Sequence, residues 1–242
     1  MFRINNRQVN GMNIKKLLFE ITEDFPSPIV PDYDRFLSRV QVPPFSELTK
    51  SRHSLNRASL YSLNQEVRTF KVEASPKTDQ IYYPLLNFFY HIALAANFFQ
   101  IVKGKSKFRL QPTGVIAEYE QLSTAEKYFA LFEAFWVYTD WVEIFREDGY
   151  VSEYTIPQED QFIEALCNIP ADREIPVEEV MESAGRFGEL GSAHIIRILS
   201  YFGLLTYKLK SLSPREQYTK GYIKLTSIKI TPFGCRFFEL LD

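Results

Sequence analysis

Glycine is scarce in this chain, with 10 in 242 residues. None of them falls in a Gly-x-x-x-x-Gly-Lys-Ser/Thr loop or a Gly-x-Gly-x-x-Gly turn, so no nucleotide cradle is legible. Cysteine is scarcer still. Cys167 and Cys235 lie far apart in the sequence and are expected to be reduced, buried thiols and not a disulfide framework, and no Cys-x-x-Cys metal knuckle is present. The histidines are His53, His91 and His194, and none sits in a His-Glu-x-x-His pattern. No metal and no cofactor is therefore expected. Long apolar runs are missing too. The most apolar stretch, Ile81 to Val102, is interrupted by Asn87, His91, Asn97 and Gln100, short of the roughly 18–20 residues a membrane span needs. The N-terminal residues lack the continuous apolar segment of a secretory signal. These absences predict a cytoplasmic chain with no membrane partner and no evident small-molecule substrate.

Catalytic constellations are equally thin. A Cys167–His194 pair could in principle form a thiol dyad. The flanking Ala165-Leu166-Cys167-Asn168 has no nucleophile-elbow character, and a buried structural thiol is the expected role. The acidic pairs Glu147-Asp148 and Glu178-Glu179 are adjacent in sequence, so on a helix they do not face one another. The chain reads as a non-enzyme.

Aromatic residues are abundant, with 21 Phe and 14 Tyr, and they predict aromatic-rich cores. Charge is unevenly spread. Residues 121–180 carry 3 basic and 14 acidic side chains, while residues 181–242 carry 9 basic and 5 acidic. Such asymmetry suits separate faces for separate partners, or a solvated acidic surface.

Periodicity and punctuation divide the chain into an irregular N-terminal extension (1–48), a first unit (49–150) and a second unit (151–242). In the extension, Asn13–Glu23 reads as a short helix and Asp34–Val40 as a short segment, with Pro26, Pro28 and Pro31 as terminators between them. The apolar spacing of Leu55, Leu60, Leu63 and Val67 predicts a helix over 54–67. Just before it, Thr49-Lys50-Ser51-Arg52-His53 forms a basic patch with Arg57, Arg68 and Lys71. A helix apolar on all sides follows over 81–99, with Pro84 in its first turn. Strands at 100–102 and 107–110 flank a Lys103-Gly104-Lys105-Ser106 turn. Thr113-Gly114 starts a helix to Glu120. Ser123 and Glu126 form a capping box for an aromatic helix to Phe145. The second unit repeats this logic: helices at 158–167, 177–184 and 192–202, strands at 204–210 and 222–230 around a long basic connection, then a helix begun by Thr231-Pro232-Phe233-Gly234. The recurrence, about 120 residues apart, is one of architecture more than of identity.

The residues Ile195, Ile196, Leu199, Phe202-Gly203-Leu204-Leu205 and Ile228-Lys229-Ile230-Thr231-Pro232-Phe233-Gly234 carry a resemblance to the winged helix-turn-helix superfamily. The middle of the chain, from Tyr83-Pro84-Leu85-Leu86 through Glu126-Lys127-Tyr128-Phe129 to Phe135-Trp136-Val137 and Asp140-Trp141, is similar to the helical region of plasmid ORF-three-like proteins of bacteria and mobile elements. The expected fold is mainly α (α+β), with tandem winged-helix-like units and small antiparallel β-wings.

The winged-helix resemblance implies a reading helix and a phosphate-touching wing. In the second unit, His194, Arg197 and Tyr201 fall at i, i+3 and i+7 and form a polar stripe, extended by Ser192 at the helix start. Lys208, Lys210, Lys220 and Lys224 belong to its wing. In the first unit, Lys103, Lys105, Lys107 and Arg109 are secondary phosphate contacts. Two functions follow: a DNA-binding accessory or regulator contacting duplex DNA, or a protein-interaction scaffold. In the second case the partner, or a second copy, meets the aromatic surface of Phe129, Phe132, Phe135, Trp136 and Trp141, although core packing between the two units is the favoured role for these rings.

Overall fold

A computed structural model of the chain describes residues 11–104, 107–140, 144, 159–183, 189–210 and 225–241. The class is α+β: helices accompany two three-stranded antiparallel sheets. The chain forms two compact units. The first is residues 21–140. The second combines residues 1–20 with residues 141–242. Among the described residues, no helix is long and apolar enough to cross a membrane.

The first unit starts where the sequence predicted irregular chain. Helix α2 (Ile29–Val40) follows α1 (Gly11–Glu20), and its inward face buries Ile29, Val30, Tyr33, Phe36, Leu37 and Val40. Pro31 was expected to end a helix, yet it sits in the first turn of α2, where its missing N–H has no intrahelical partner to lose. Asp32 on α2 is fully buried and accepts the backbone N–H groups of Arg68 (2.7 Å) and Thr69 (2.6 Å). That carboxylate fastens α2 to the chain leaving α3 (Arg57–Glu66). Asn56 caps α3, its side chain accepting from Ser59 N–H at 2.8 Å.

Strand β1 (Glu47–Leu48) precedes α3; α4 (Pro84–Ala95), β2 (Phe99–Lys103) and β3 (Phe108–Pro112) follow it. The predicted helix over 81–99 is shorter than expected: residues 80–82 form a separate 3-10 turn and Phe99 already belongs to β2. Its expected burial on all sides holds, because Leu85, Leu86, Phe88, Phe89, Ile92 and Ala93 are all inside. Helices α5 (Val115–Glu120) and α6 (Thr124–Glu133) follow, and the Ser123–Glu126 capping box forms as predicted. After Glu133 the helix widens into a π turn over Ala134–Tyr138. This turn closes α4 from one side, with the Phe88 and Phe135 rings edge-on at 5.6 Å, while α2 and α3 pack elsewhere on α4. The continuation expected to Phe145 lies largely outside the described residues.

In the second unit, α7 (Glu159–Cys167), β4 (Glu174–Pro176), α8 (Val177–Ser183), α9 (Glu189–Tyr201), β5 (Leu205–Leu209), β6 (Leu225–Ile230) and α10 (Pro232–Phe238) run in that order. Phe162, Leu166, Ile195, Leu199, Phe202, Ile228, Ile230 and Phe233 are buried. Helix α1 belongs here and not with the residues that follow it in sequence. It packs on α10, where Arg236 binds Glu20.

Among the described residues the two units share one run of elements: helix, strand, helix, helix, strand, strand, helix. Their sheets share one order, first strand–third strand–second strand: β1-β3-β2 and β4-β6-β5. The first strands have only two and three residues, too short to show a period-2 pattern in sequence.

Candidate nucleic-acid interface

A side chain that reads a base edge must project from its element into solvent, so burial decides which candidate residues qualify. On α9, the expected polar stripe fails this requirement. His194 is only 4% exposed and Tyr201 only 2%. Both are therefore corrected from base-contacting to interior residues. The spacing was read properly, but imidazole and phenol rings carry enough apolar surface to be placed inside. Arg197 is half-buried, and its Nη2 lies 2.8 Å from His194 Nδ1. A guanidinium can only donate, so Nδ1 is the acceptor and His194 is the neutral tautomer protonated at Nε2. Burial, with Arg197's charge behind it, pushes the His194 pKa down to about 3. The α4 helix of the first unit is occluded in the same way. His91, half-buried there, has its pKa lowered to about 4, mainly by burial.

The second unit's strand pair β5–β6 loses part of its expected cationic face. Lys208 binds Glu174 at 2.6 Å. Glu174 is held below the usual carboxylate range by Lys208 and by the Ser227 hydroxyl, which donates to it at 2.6 Å. Lys210 is exposed at the end of β5. Ser192 belongs to α9 by its backbone. Lys220 and Lys224 lie outside the described residues.

The first unit's hairpin keeps part of its charge. Lys103 and Arg109 are exposed on β2 and β3. Lys107 is exposed and bound to Glu47 at 2.5 Å, and Lys105 lies outside the described residues. Register places further cations beside them. Glu47 pairs with Arg109 and Leu48 with Phe108, so the antiparallel β1 runs on past Leu48 toward Lys107. The next residues, 49–54, fold into a tight loop closed by Thr49 N–H to Ser54 C=O at 2.8 Å. The His53 ring lies 4.2 Å from that of Phe108, which fixes this loop against the hairpin. Lys50 and Arg52 of the loop are exposed. Four cations, Lys50, Arg52, Lys103 and Arg109, thus share one end of one sheet, and among the described residues none is in an ion pair. A recess of about 300 Å³ opens there, lined in part by Ser46, Lys107 and Arg109. In the rest of the predicted basic patch, Arg57 binds Asp79 and Arg68 binds Asp24, while Lys71 donates to the Gln65 carbonyl, an uncharged acceptor. Lys50 and Arg52 were legible as basic residues, but only the strand register brings them to the hairpin.

Among the described residues, no group of three metal-ligating side chains comes together. No protein-family model, curated protein or solved structure matches the chain.

Proposed function

We propose that this chain is a non-enzymatic, tandem winged-helix-like protein that grips duplex DNA by its phosphate backbone and does not read bases. The shared helix–strand–helix–helix–strand–strand connectivity, with its first–third–second sheet order, supports the winged-helix part of this reading. The observation that carries the DNA part is the set of four exposed cations at the hairpin end of the first sheet. A wing is the element that meets phosphate in such folds. The third helices, which would read the major groove, have interior residues where base-contacting side chains are needed. Binding therefore rests on counterion release, which is independent of sequence. The role is that of an accessory that holds DNA, not of a site-specific regulator.

A mobility-shift assay at low salt tests this. The wild-type chain is expected to shift unrelated duplexes alike. Lys50→Gln, Arg52→Gln, Lys103→Gln and Arg109→Gln combined should abolish the shift and leave the fold intact. No shift by the wild-type chain at low salt sinks the proposal.

A second reading, a protein-interaction scaffold, has its own support. The π turn after α6 displays Val137 at 63% and Tyr138 at 58% exposure. Exposed apolar and aromatic side chains of this kind suit a protein interface. A null DNA titration combined with loss of a native complex in Val137→Glu would favour it.

A further inference from the structure

Arginines removed from water are placed against carboxylates in this protein, with one exception. Among the described residues, Arg35, Arg39, Arg197 and Arg236 are half-buried. Arg35 meets Asp32, Arg39 meets Glu66 at 2.5 Å, and Arg236 meets Glu20. Among the described residues Arg197 has no such partner. Its one side-chain hydrogen bond there is to the Nδ1 of His194, an uncharged acceptor. Its Nε is buried and meets no acceptor. A guanidinium carries five N–H donors in a fixed fork that matches the paired oxygens of a carboxylate or phosphate. Here the fork is built and oriented, but no anion of the described chain fills it.

The surroundings favour an incoming anion over an internal one. His194 contributes a lone pair and no charge, so it orients the guanidinium without neutralising it. Ser200 and Tyr207 sit beside Arg197 on α9 and β5, both half-buried. The Ser200 hydroxyl donates to the Arg197 carbonyl at 2.6 Å. Burial raises the Tyr207 pKa, so it stays a neutral phenol. No negative charge is thus contributed by any of the three neighbours. Arg197 is half-buried, so part of the residue remains accessible to solvent.

We infer that Arg197, oriented by His194 and flanked by Ser200 and Tyr207, is the anchor of an oxyanion-binding site that takes a phosphate or carboxylate group. The site belongs to the second unit and does not rest on the duplex reading, which uses the first. Partial desolvation strengthens a charge-assisted pair relative to one on an open surface. The ligand therefore gains more here than at the exposed lysines of either wing.

The test is a titration of the full chain with inorganic phosphate, and separately with acetate, at constant ionic strength held with chloride. The readouts are the Arg197 Nε–H resonance and the thermal midpoint. A saturable shift of that resonance, with a rise in midpoint that Arg197→Gln abolishes, is expected. Arg197→Lys keeps the charge and loses the fork, and should bind at least tenfold more weakly. Saturation by phosphate alone identifies a tetrahedral ligand; saturation by acetate as well identifies a carboxylate-compatible one. No saturable shift with either anion overturns the inference, and so does an equal midpoint rise in Arg197→Gln. The resonance is read on the unmutated chain, so the outcome stands even if Arg197→Gln does not fold.

Discussion

The hydroxyl of Thr231 donates back to the Gly203 carbonyl at 2.9 Å, across the whole of the second unit's hairpin. Thr113 makes the same bond to Asn97 at 2.6 Å in the first unit. The backbone repeats it: Thr231 N–H bonds Leu204 C=O at 3.0 Å, and Thr113 N–H bonds Phe98 C=O at 2.9 Å. Gly203 and Asn97 both have left-handed backbones, with φ of 71° and 56°. Each ends a third helix through a six-to-one bond, from Leu204 N–H to Leu199 C=O and from Phe98 N–H to Ala93 C=O. One threonine thus ties the exit of each hairpin to its entry. The second one also caps α10, accepting from Gly234 N–H at 2.9 Å. Replacing Thr231 by Val removes these side-chain bonds at similar shape. Urea unfolding should show a loss of about 1–2 kcal/mol, as for other helix caps.

Glycine-to-alanine substitution in a helix ordinarily stabilises by about 0.5–1 kcal/mol. Gly234 should reverse that sign. A Cβ there would stand 1.9 Å from the Leu204 carbonyl oxygen, a backbone atom with no freedom to yield. Gly234→Ala should therefore lower the thermal midpoint clearly. Gly114, at the matching helix start of the first unit, has nothing within 4 Å of an added Cβ. Gly114→Ala should stay within roughly 0.5 kcal/mol of wild type, as for an unconstrained surface change. Equal effects at the two positions would contradict this account of α10 packing.

Asp32 accepts two backbone N–H groups in the interior, so its loss strands both. Asp32→Ala is expected to cost about 2–6 kcal/mol in denaturant unfolding, from two orphaned donors at about 1–3 kcal/mol each. A cost under 1 kcal/mol would mean that water replaces the carboxylate.

His91 and His194 are held neutral, with pKa values lowered from 6.5 to about 4 and about 3. An unfolded chain binds these protons first, so stability falls as pH drops below about 6.5. The loss continues toward the folded values near 4 and 3 and then levels off. Urea midpoints measured from pH 7.5 to 4 should decline, and less steeply in His194→Gln. A pH-independent midpoint over that range would refute neutral burial.

How much of this was legible in sequence depended on the kind of signal. Capping and apolar periodicity are local, so Ser123–Glu126, the Thr-started helices and the interior placement of α4 could be read directly. Helix α2 was hidden because three prolines around it read as terminators, while the side chain that fixes it, Asp32, acts on residues 36 and 37 positions away. The stripe of His194, Arg197 and Tyr201 has proper helical spacing. Spacing, however, gives a face and not its exposure, and packing put two of the three inside. Lys50 and Arg52 were seen as basic, but their place beside Arg109 follows from the pairing of β1 with β3, a two-residue strand without any sequence signature.

The most direct test of phosphate-backbone binding is the salt dependence of duplex affinity, measured by fluorescence anisotropy on several unrelated sequences. Four cations at the first hairpin predict a slope of log Kobs against log salt of about −3 to −4, at roughly −0.9 per phosphate contacted. The slope and affinity should be alike across sequences, and Arg109→Gln should reduce the slope by about 1. A sequence-dependent affinity, or a slope unchanged by Arg109→Gln, would contradict it.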